Sequence, residues 1–205
     1  MMLIITVLNN KGGIGKTTTS TILIELAARE KKARVVGVDI CGQQNLVDNL
    51  SLDGETLFGV DVAPSAGRTP PEGVLREYDY AVIDTPPNVE SSVISKIIKF
   101  SDALVVPFDL EKHSVYGVDE VAKMIPDTKP IFFLCIAERE SNLSVVEKQL
   151  FDLAQKSLGD RLYIWPRLKR VKSNVSLHDA FDVGVGEEHK KRFTKLFKDI
   201  KKAVK

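Results

Sequence analysis

Asn10-Lys11-Gly12-Gly13-Ile14-Gly15-Lys16-Thr17-Thr18 follows an apolar run, Leu3–Leu8, and opens a segment of helical periodicity. A glycine-rich turn between a buried strand and a helix is the context that a phosphate-binding loop requires. Gly12, Gly13 and Gly15 let the backbone adopt positive φ and turn its N–H groups inward around phosphate oxygens. The helix beginning near Lys16 adds its positive end. Lys16 is expected to reach the β- and γ-phosphates of a nucleoside triphosphate, and the Thr17 hydroxyl to bind Mg²⁺. Two features depart from the usual G-x-x-x-x-G-K-[ST] pattern. Asn10 stands where that pattern has a glycine, and Lys11 is a second lysine in a loop that needs one.

Outward from the loop, short apolar runs alternate with helix-length amphipathic segments. Leu3–Leu8, Arg34–Asp39, Tyr80–Asp84, Ala103–Phe108, Pro130–Ala137 and Arg161–Trp165 read as strands, and Thr56–Ala63 is a weaker seventh candidate. None of the six alternates apolar with polar, as expected for strands covered on both faces. Residues 16–31, 89–100, 113–125, 142–157 and 187–204 carry helical periodicity. The pattern predicts an α/β fold, a doubly wound and mostly parallel sheet flanked by helices, with ligands at the carboxyl ends of the strands. Residues 1–205 read as a single domain, because Pro64–Pro71 is a loop rather than a linker.

Two acids fall where a triphosphate site needs them. Asp84 ends the Tyr80–Asp84 run just before Thr85-Pro86-Pro87, a Walker-B-type position able to hold Mg²⁺ through water. Asp39, at the tip of the second strand, is expected to face the γ-phosphate, to join Thr17 and Asp84 in holding Mg²⁺ and to belong to a switch segment.

Composition narrows the class. Of 205 residues, 43% are hydrophobic and 28% charged, an ordinary globular balance. The two cysteines, Cys41 and Cys135, are far apart, and no apolar run reaches the roughly 20 residues that span a bilayer. A cytoplasmic protein is expected. The net charge of +1 conceals an asymmetry: residues 161–205 hold 13 Lys+Arg against 5 Asp+Glu, and residues 1–160 hold 16 against 23. A basic C-terminal quarter on an acidic body suggests a surface for polyanions.

Lys11-Gly12-Gly13-Ile14-Gly15-Lys16-Thr17-Thr18 resembles the deviant Walker A box of the ParA/MinD ATPases, above all the small, ParF-like ParA proteins of plasmid partition. Asn9 occupies the first position of that family's N-x-K-G-G. Val38-Asp39-Ile40-Cys41-Gly42-Gln43-Gln44-Asn45 resembles its V-D-x-D-P-Q-x-N switch, and "YDYAVIDTPP" resembles its Walker B. The likeness covers essentially the whole chain, including "DALVVPFDLEKHSVYGVDEV" and "IWPRLKR…SLHDAFDVG".

The resemblance implies an ATPase that forms an ATP-sandwich homodimer. In it Lys11 reaches the phosphates held by the other subunit, while Lys16 serves its own. It further implies Mg²⁺, non-specific DNA, a nucleoid-associated location and a ParB-like centromere-binding partner that stimulates hydrolysis. Pro166 and Arg167 are expected near the adenine. The family's second switch aspartate is Cys41 here, and a thiol is a poor group for polarising water, so slow hydrolysis is expected. For DNA, the cluster Arg167, Lys169, Arg170 and Lys172 comes first and Lys190, Lys191 and Arg192 second.

Phe193, Leu196, Phe197, Ile200 and Val204 form an apolar stripe on the last helix. It opens the alternative of a MinD-like membrane-associated positioning ATPase, although packing on the sheet is the expected use. A hydrolysis-impaired scaffold is the other alternative. An iron–sulfur site is not expected from cysteines so placed, and the three histidines are too scattered for a metal site.

Overall fold

The computed structural model describes residues 2–40, 45–52, 55–56, 59–64, 72–87, 90–126, 128–137, 142–166 and 187–205. The strands are β1 (Leu3–Val7), β2 (Val35–Asp39), β3 (Ser51–Leu52), β4 (Glu55–Thr56), β5 (Asp61–Pro64), β6 (Tyr80–Asp84), β7 (Ala103–Asp109), β8 (Ile131–Ala137) and β9 (Leu162–Pro166). The helices are α1 (Lys16–Ala28), α2 (Asn45–Leu50), α3 (Glu72–Leu75), α4 (Ser91–Phe100), α5 (Lys112–Met124), α6 (Val145–Leu158) and α7 (Glu187–Ala203), with a 3₁₀ turn at Gly159–Arg161.

Seven strands form one sheet in the order β5-β2-β6-β1-β7-β8-β9, every neighbouring pair parallel, while β3 and β4 pair antiparallel beside it. The six strong strand expectations hold to within a residue or two. The seventh divides: Thr56 ends β4 and the sheet strand begins only at Asp61, with Gly59 at φ 64° between them. A left-handed backbone turn there takes the chain out of extended geometry. Unforeseen are α2, α3 and the β3–β4 pair, all too short to show a period.

Strand pleating sorts the core into two layers. Leu3, Ile5 and Val7 of β1 pack with Ile22 and Leu23 of α1, Leu46 of α2, and Phe193, Leu196 and Phe197 of α7. On the opposite face, Val106 and Phe108 pack with Ile98 of α4, Val115 of α5 and Phe151 of α6, and Ile4, Val38 and Ile83 pack with Leu75 and Ile97. The strongly apolar strands of the sequence are therefore those covered by helices on both sides.

The register fixes where chemistry can occur. Val7 lies beside Asp84, and Asp84 beside Asp39, so three strand ends stop at one level around β1. β1 is flanked by β6 and β7, and successive connections run to opposite sides of it. This reversal opens a crevice at the carboxyl ends.

Candidate functional site

Residues 8–15 carry the chain from β1 into α1 along that crevice. Asn9 is buried and works as a staple: its Nδ2 donates to the Pro107 carbonyl at 2.8 Å, and its Oδ1 accepts the Lys11 N–H at 2.9 Å. Gly13 and Gly15 sit at φ 73° and 77°. A Cβ on Gly15 would meet only the mobile end of Ile136, Cδ1 at 2.9 Å, so the positive φ is what reserves this position for glycine. α1 starts directly after it, with the Thr19 N–H donating to the Gly15 carbonyl.

Gly12, Gly13, Gly15, Lys16, Thr17 and Thr18 form one wall of a cleft of about 440 Å³, opposite Asp84, Thr85, Pro86, Pro87 and Asn45. Lys16 is 7% exposed, and its Nζ donates to the Lys11 carbonyl at 2.7 Å. The side chain of Ile14, a residue expected in the loop's binding set, is buried, so its backbone N–H is what it can offer a phosphate. A concave cleft with backbone amides, a lysine and a helix N-terminus on one side suits a polyphosphate.

The opposite wall supplies oxygen donors. Asp84 is 1% exposed; its Oδ2 accepts from the Thr17 hydroxyl at 2.7 Å and its Oδ1 from the Ser20 hydroxyl at 3.0 Å. Burial pushes the Asp84 carboxyl up to about 6, against the two hydroxyl hydrogen bonds that favour its charged form, with the neighbouring Asp39 adding to the rise. A hydroxyl touching a buried carboxylate is a hard-donor pair that fits Mg²⁺, which takes one or two protein oxygens and keeps waters or substrate oxygens for the rest. Among the described residues no group of three or more His, Cys, Asp and Glu makes a full protein cage.

Asp39 lies one strand over and is fully buried. Its Oδ2 accepts the Leu46 N–H at 2.9 Å, which anchors the first turn of α2 and so brings Asn45 to the cleft. Asp39 itself is not among the residues lining the cleft. Asn45, Thr85, Pro86, Pro87 and Ser20 were not read as site residues from the sequence. Ser20 carried a signal, since it is three residues after Thr17 and shares its helix face.

Lys11 turns away from this cleft. Its Nζ donates to Asp109 Oδ2 at 2.8 Å and Oδ1 at 3.0 Å, and to Glu111 Oε2 at 2.6 Å. Desolvation pulls the Lys11 ammonium pKa down, but the bonds to Asp109 and Glu111 outweigh it and leave the value raised.

Cys41, Arg167, Lys169, Arg170 and Lys172 lie outside the described residues, and of Pro166 only the backbone at the end of β9 is described. On α7 the lysines divide. Lys201 pairs with Glu30, which also accepts from Tyr80 Oη. Arg192 donates to the Ile164 carbonyl at 3.1 Å, Lys191 is exposed and Lys190 half-buried. The exposed Lys191, Lys195, Lys198 and Lys202 recur every three or four residues, on one face of the helix, and Lys205 follows just past its end. The apolar stripe on its other side is buried: Phe193, Leu196, Phe197 and Ile200 are at most 4% exposed. No helix among the described residues is long and apolar enough to cross a membrane.

Residues 5–205 match the family model described as the CobQ/CobB/MinD/ParA nucleotide binding domain. The chain belongs to this family. Maintenance of carboxysome distribution protein A from Gloeobacter kilaueensis is 33% identical over 107 residues, covering 51% of this chain and 48% of that relative. The chain thus matches about half the length of that protein. Among solved structures, a putative plasmid partition protein from Borrelia burgdorferi bound to AMPPNP superposes with a TM-score of 0.68 at 18% identity, covering 97% of both chains. The ParA protein of pNOB8 bound to nonspecific DNA superposes with a TM-score of 0.65 at 18% identity, covering 100% of this chain and 99% of that one. At such identities the superpositions establish a shared fold.

Proposed function

We propose that this family member is a partition ATPase. It binds ATP with Mg²⁺, closes with a second copy into an ATP-sandwich dimer, lies on DNA without sequence preference and is driven by a ParB-like centromere-binding protein. The observation that carries the reading is the separation of the two loop lysines. Lys16 lines the cleft, whereas the Lys11 side chain leaves the same loop in another direction, toward Asp109 and Glu111. A lysine so placed faces away from its own cleft, on the side from which a partner would present its phosphates.

In this reading the loop amides and Lys16 hold the β- and γ-phosphates, and Thr17 and Asp84 would hold Mg²⁺, while Asp39, expected there as well, stays outside the cleft and holds the start of α2. The metal neutralises charge on the phosphate oxygens. Lys11 of each subunit then neutralises the opposite triphosphate, which makes closure depend on nucleotide. The AMPPNP in the Borrelia structure and the DNA on pNOB8 ParA support carrying both ligands to this chain. The exposed lysines of α7 provide the cations that DNA phosphates require. The likeness to a carboxysome-distribution protein leaves both a DNA and a protein cargo in view. The buried apolar side of α7 favours this reading over a membrane-surface helix.

The test is a pair of variants measured with AMPPNP. Lys16→Ala is expected to lose nucleotide binding by at least about 100-fold, as removal of a charge-assisted phosphate contact in a closed site would. Lys11→Ala is expected to keep binding and lose nucleotide-dependent dimerisation in sedimentation. A Lys11→Ala protein that dimerises like the parent refutes the sandwich.

A further inference from the structure

Lys11 is restrained by the opposite side of its own crevice. Asp109 is the last residue of β7, a strand paired on both sides, and its side chain is only 14% exposed. Glu111, two residues on and 68% exposed, closes the third bond from the solvent side. The backbone of Lys11 is held as well, by Asn9 at its N–H and by Lys16 at its carbonyl. These contacts join residues 98 and 100 positions apart in sequence, so they belong to the folded subunit and to no local turn. Nothing in the reading above gives Asp109 or Glu111 a task.

We propose that Asp109 and Glu111 form a latch that keeps Lys11 within its own subunit until two subunits close. This rests on the reading of Lys11 as the lysine that serves the partner's phosphates. The geometry sets one ammonium against two rival sets of anions: the two carboxylates of its own subunit and the triphosphate of the other. The side chain cannot satisfy both, because all three short bonds to Nζ are already made to Asp109 and Glu111, and an ammonium has three protons. Closure therefore exchanges intrasubunit bonds for intersubunit ones, and its net gain is the difference between them.

The loop also links the latch to nucleotide. Lys16 Nζ donates to the Lys11 carbonyl, and a phosphate entering the cleft competes for that same ammonium. Binding in the cleft draws Lys16 off the Lys11 backbone and leaves Asn9 as its remaining main-chain restraint. Nucleotide thus loosens the segment that must move, and the acids set how much further pull the partner has to supply. Desolvation raises the Asp109 carboxyl pKa, yet the bonds from Lys11 and Ser114 outweigh it and leave the value lowered, so the carboxylate is charged through the neutral range.

The experiment measures the dimer dissociation constant by sedimentation with saturating AMPPNP and Mg²⁺, and the nucleotide affinity separately. A partly exposed charge-assisted contact is worth about 5-fold per subunit, and two latches open per dimer, so Asp109→Asn/Glu111→Gln is expected to tighten the dimer roughly 25-fold. Nucleotide affinity in the monomer is expected to stay within about 2-fold, a split that a merely structural role would not produce. The single variant Glu111→Gln, at an exposed position, is expected to tighten the dimer by a smaller factor and guards against misfolding of the double variant. An unchanged or weaker dimer in both acid variants, while Lys11→Ala still abolishes dimerisation, overturns the latch alone. A Lys11→Ala protein that dimerises normally overturns the latch together with the reading on which it rests.

Discussion

Asp84 makes a prediction about pH that runs opposite to ordinary acid denaturation. Its carboxyl titrates near 6 in the folded chain and near 4 once unfolded. A carboxylate with a raised folded value binds more protons in the native state between those two limits. Stability therefore rises as pH falls through 6, and the contribution levels off below 4. Between pH 7 and pH 5 the two values give a gain of about 1.3 kcal/mol. Asp109 and Glu30, whose carboxyls are held low by their lysines despite desolvation, lose their contribution from the ordinary carboxylate range downward, mostly below this window, and do so alike in parent and variant. The comparison is made against Asp84→Asn, in which the contribution of every other group is common and cancels. Urea unfolding in EDTA at pH 5, 6 and 7 is expected to show the parent gaining about 1.3 kcal/mol on the variant as pH falls. Magnesium at pH 7 is expected to stabilise the parent and leave Asp84→Asn unchanged, because the ion binds the charged carboxylate. Parallel profiles for the two proteins would refute the argument that burial governs this acid.

The basic face of α7 gives a test of nucleic-acid contact. Lys195→Glu/Lys198→Glu/Lys202→Glu changes three exposed residues and is expected to weaken binding to random-sequence duplex at least 10-fold and to reduce the salt slope by about 3, near one unit per lost phosphate contact. An unaltered slope would assign DNA to another surface. The chemistry at position 41 gives a test of turnover: Cys41→Asp is expected to hydrolyse ATP faster than the parent in single-turnover phosphate release, since a carboxylate orients water where a thiol does not. Equal rates would show that the thiol at position 41 does not limit hydrolysis.

The sequence by itself determined the elements whose signals are local. The loop from Gly12 to Thr18, the apolar runs of the buried strands and the amphipathic last helix each declare themselves within a few residues, because backbone freedom, burial on two faces and helical period are short-range properties. Asp84 was legible for the same reason, as an acid closing a buried run. Only the tertiary structure decided what depends on residues far apart in the chain. It set Asp39 beside Asp84 while turning its carboxylate to the start of α2, and it brought Asn45 and Pro87 to the cleft. It also divided the lysines of α7, committing Lys201 to Glu30 and leaving Lys195, Lys198 and Lys202 exposed. The second lysine of the loop draws on both. Its presence is written in nine residues, but its partners Asp109 and Glu111 come from the end of a strand about a hundred positions away. Parallel pairing of β1 with β7 makes them neighbours, and no local pattern encodes that pairing.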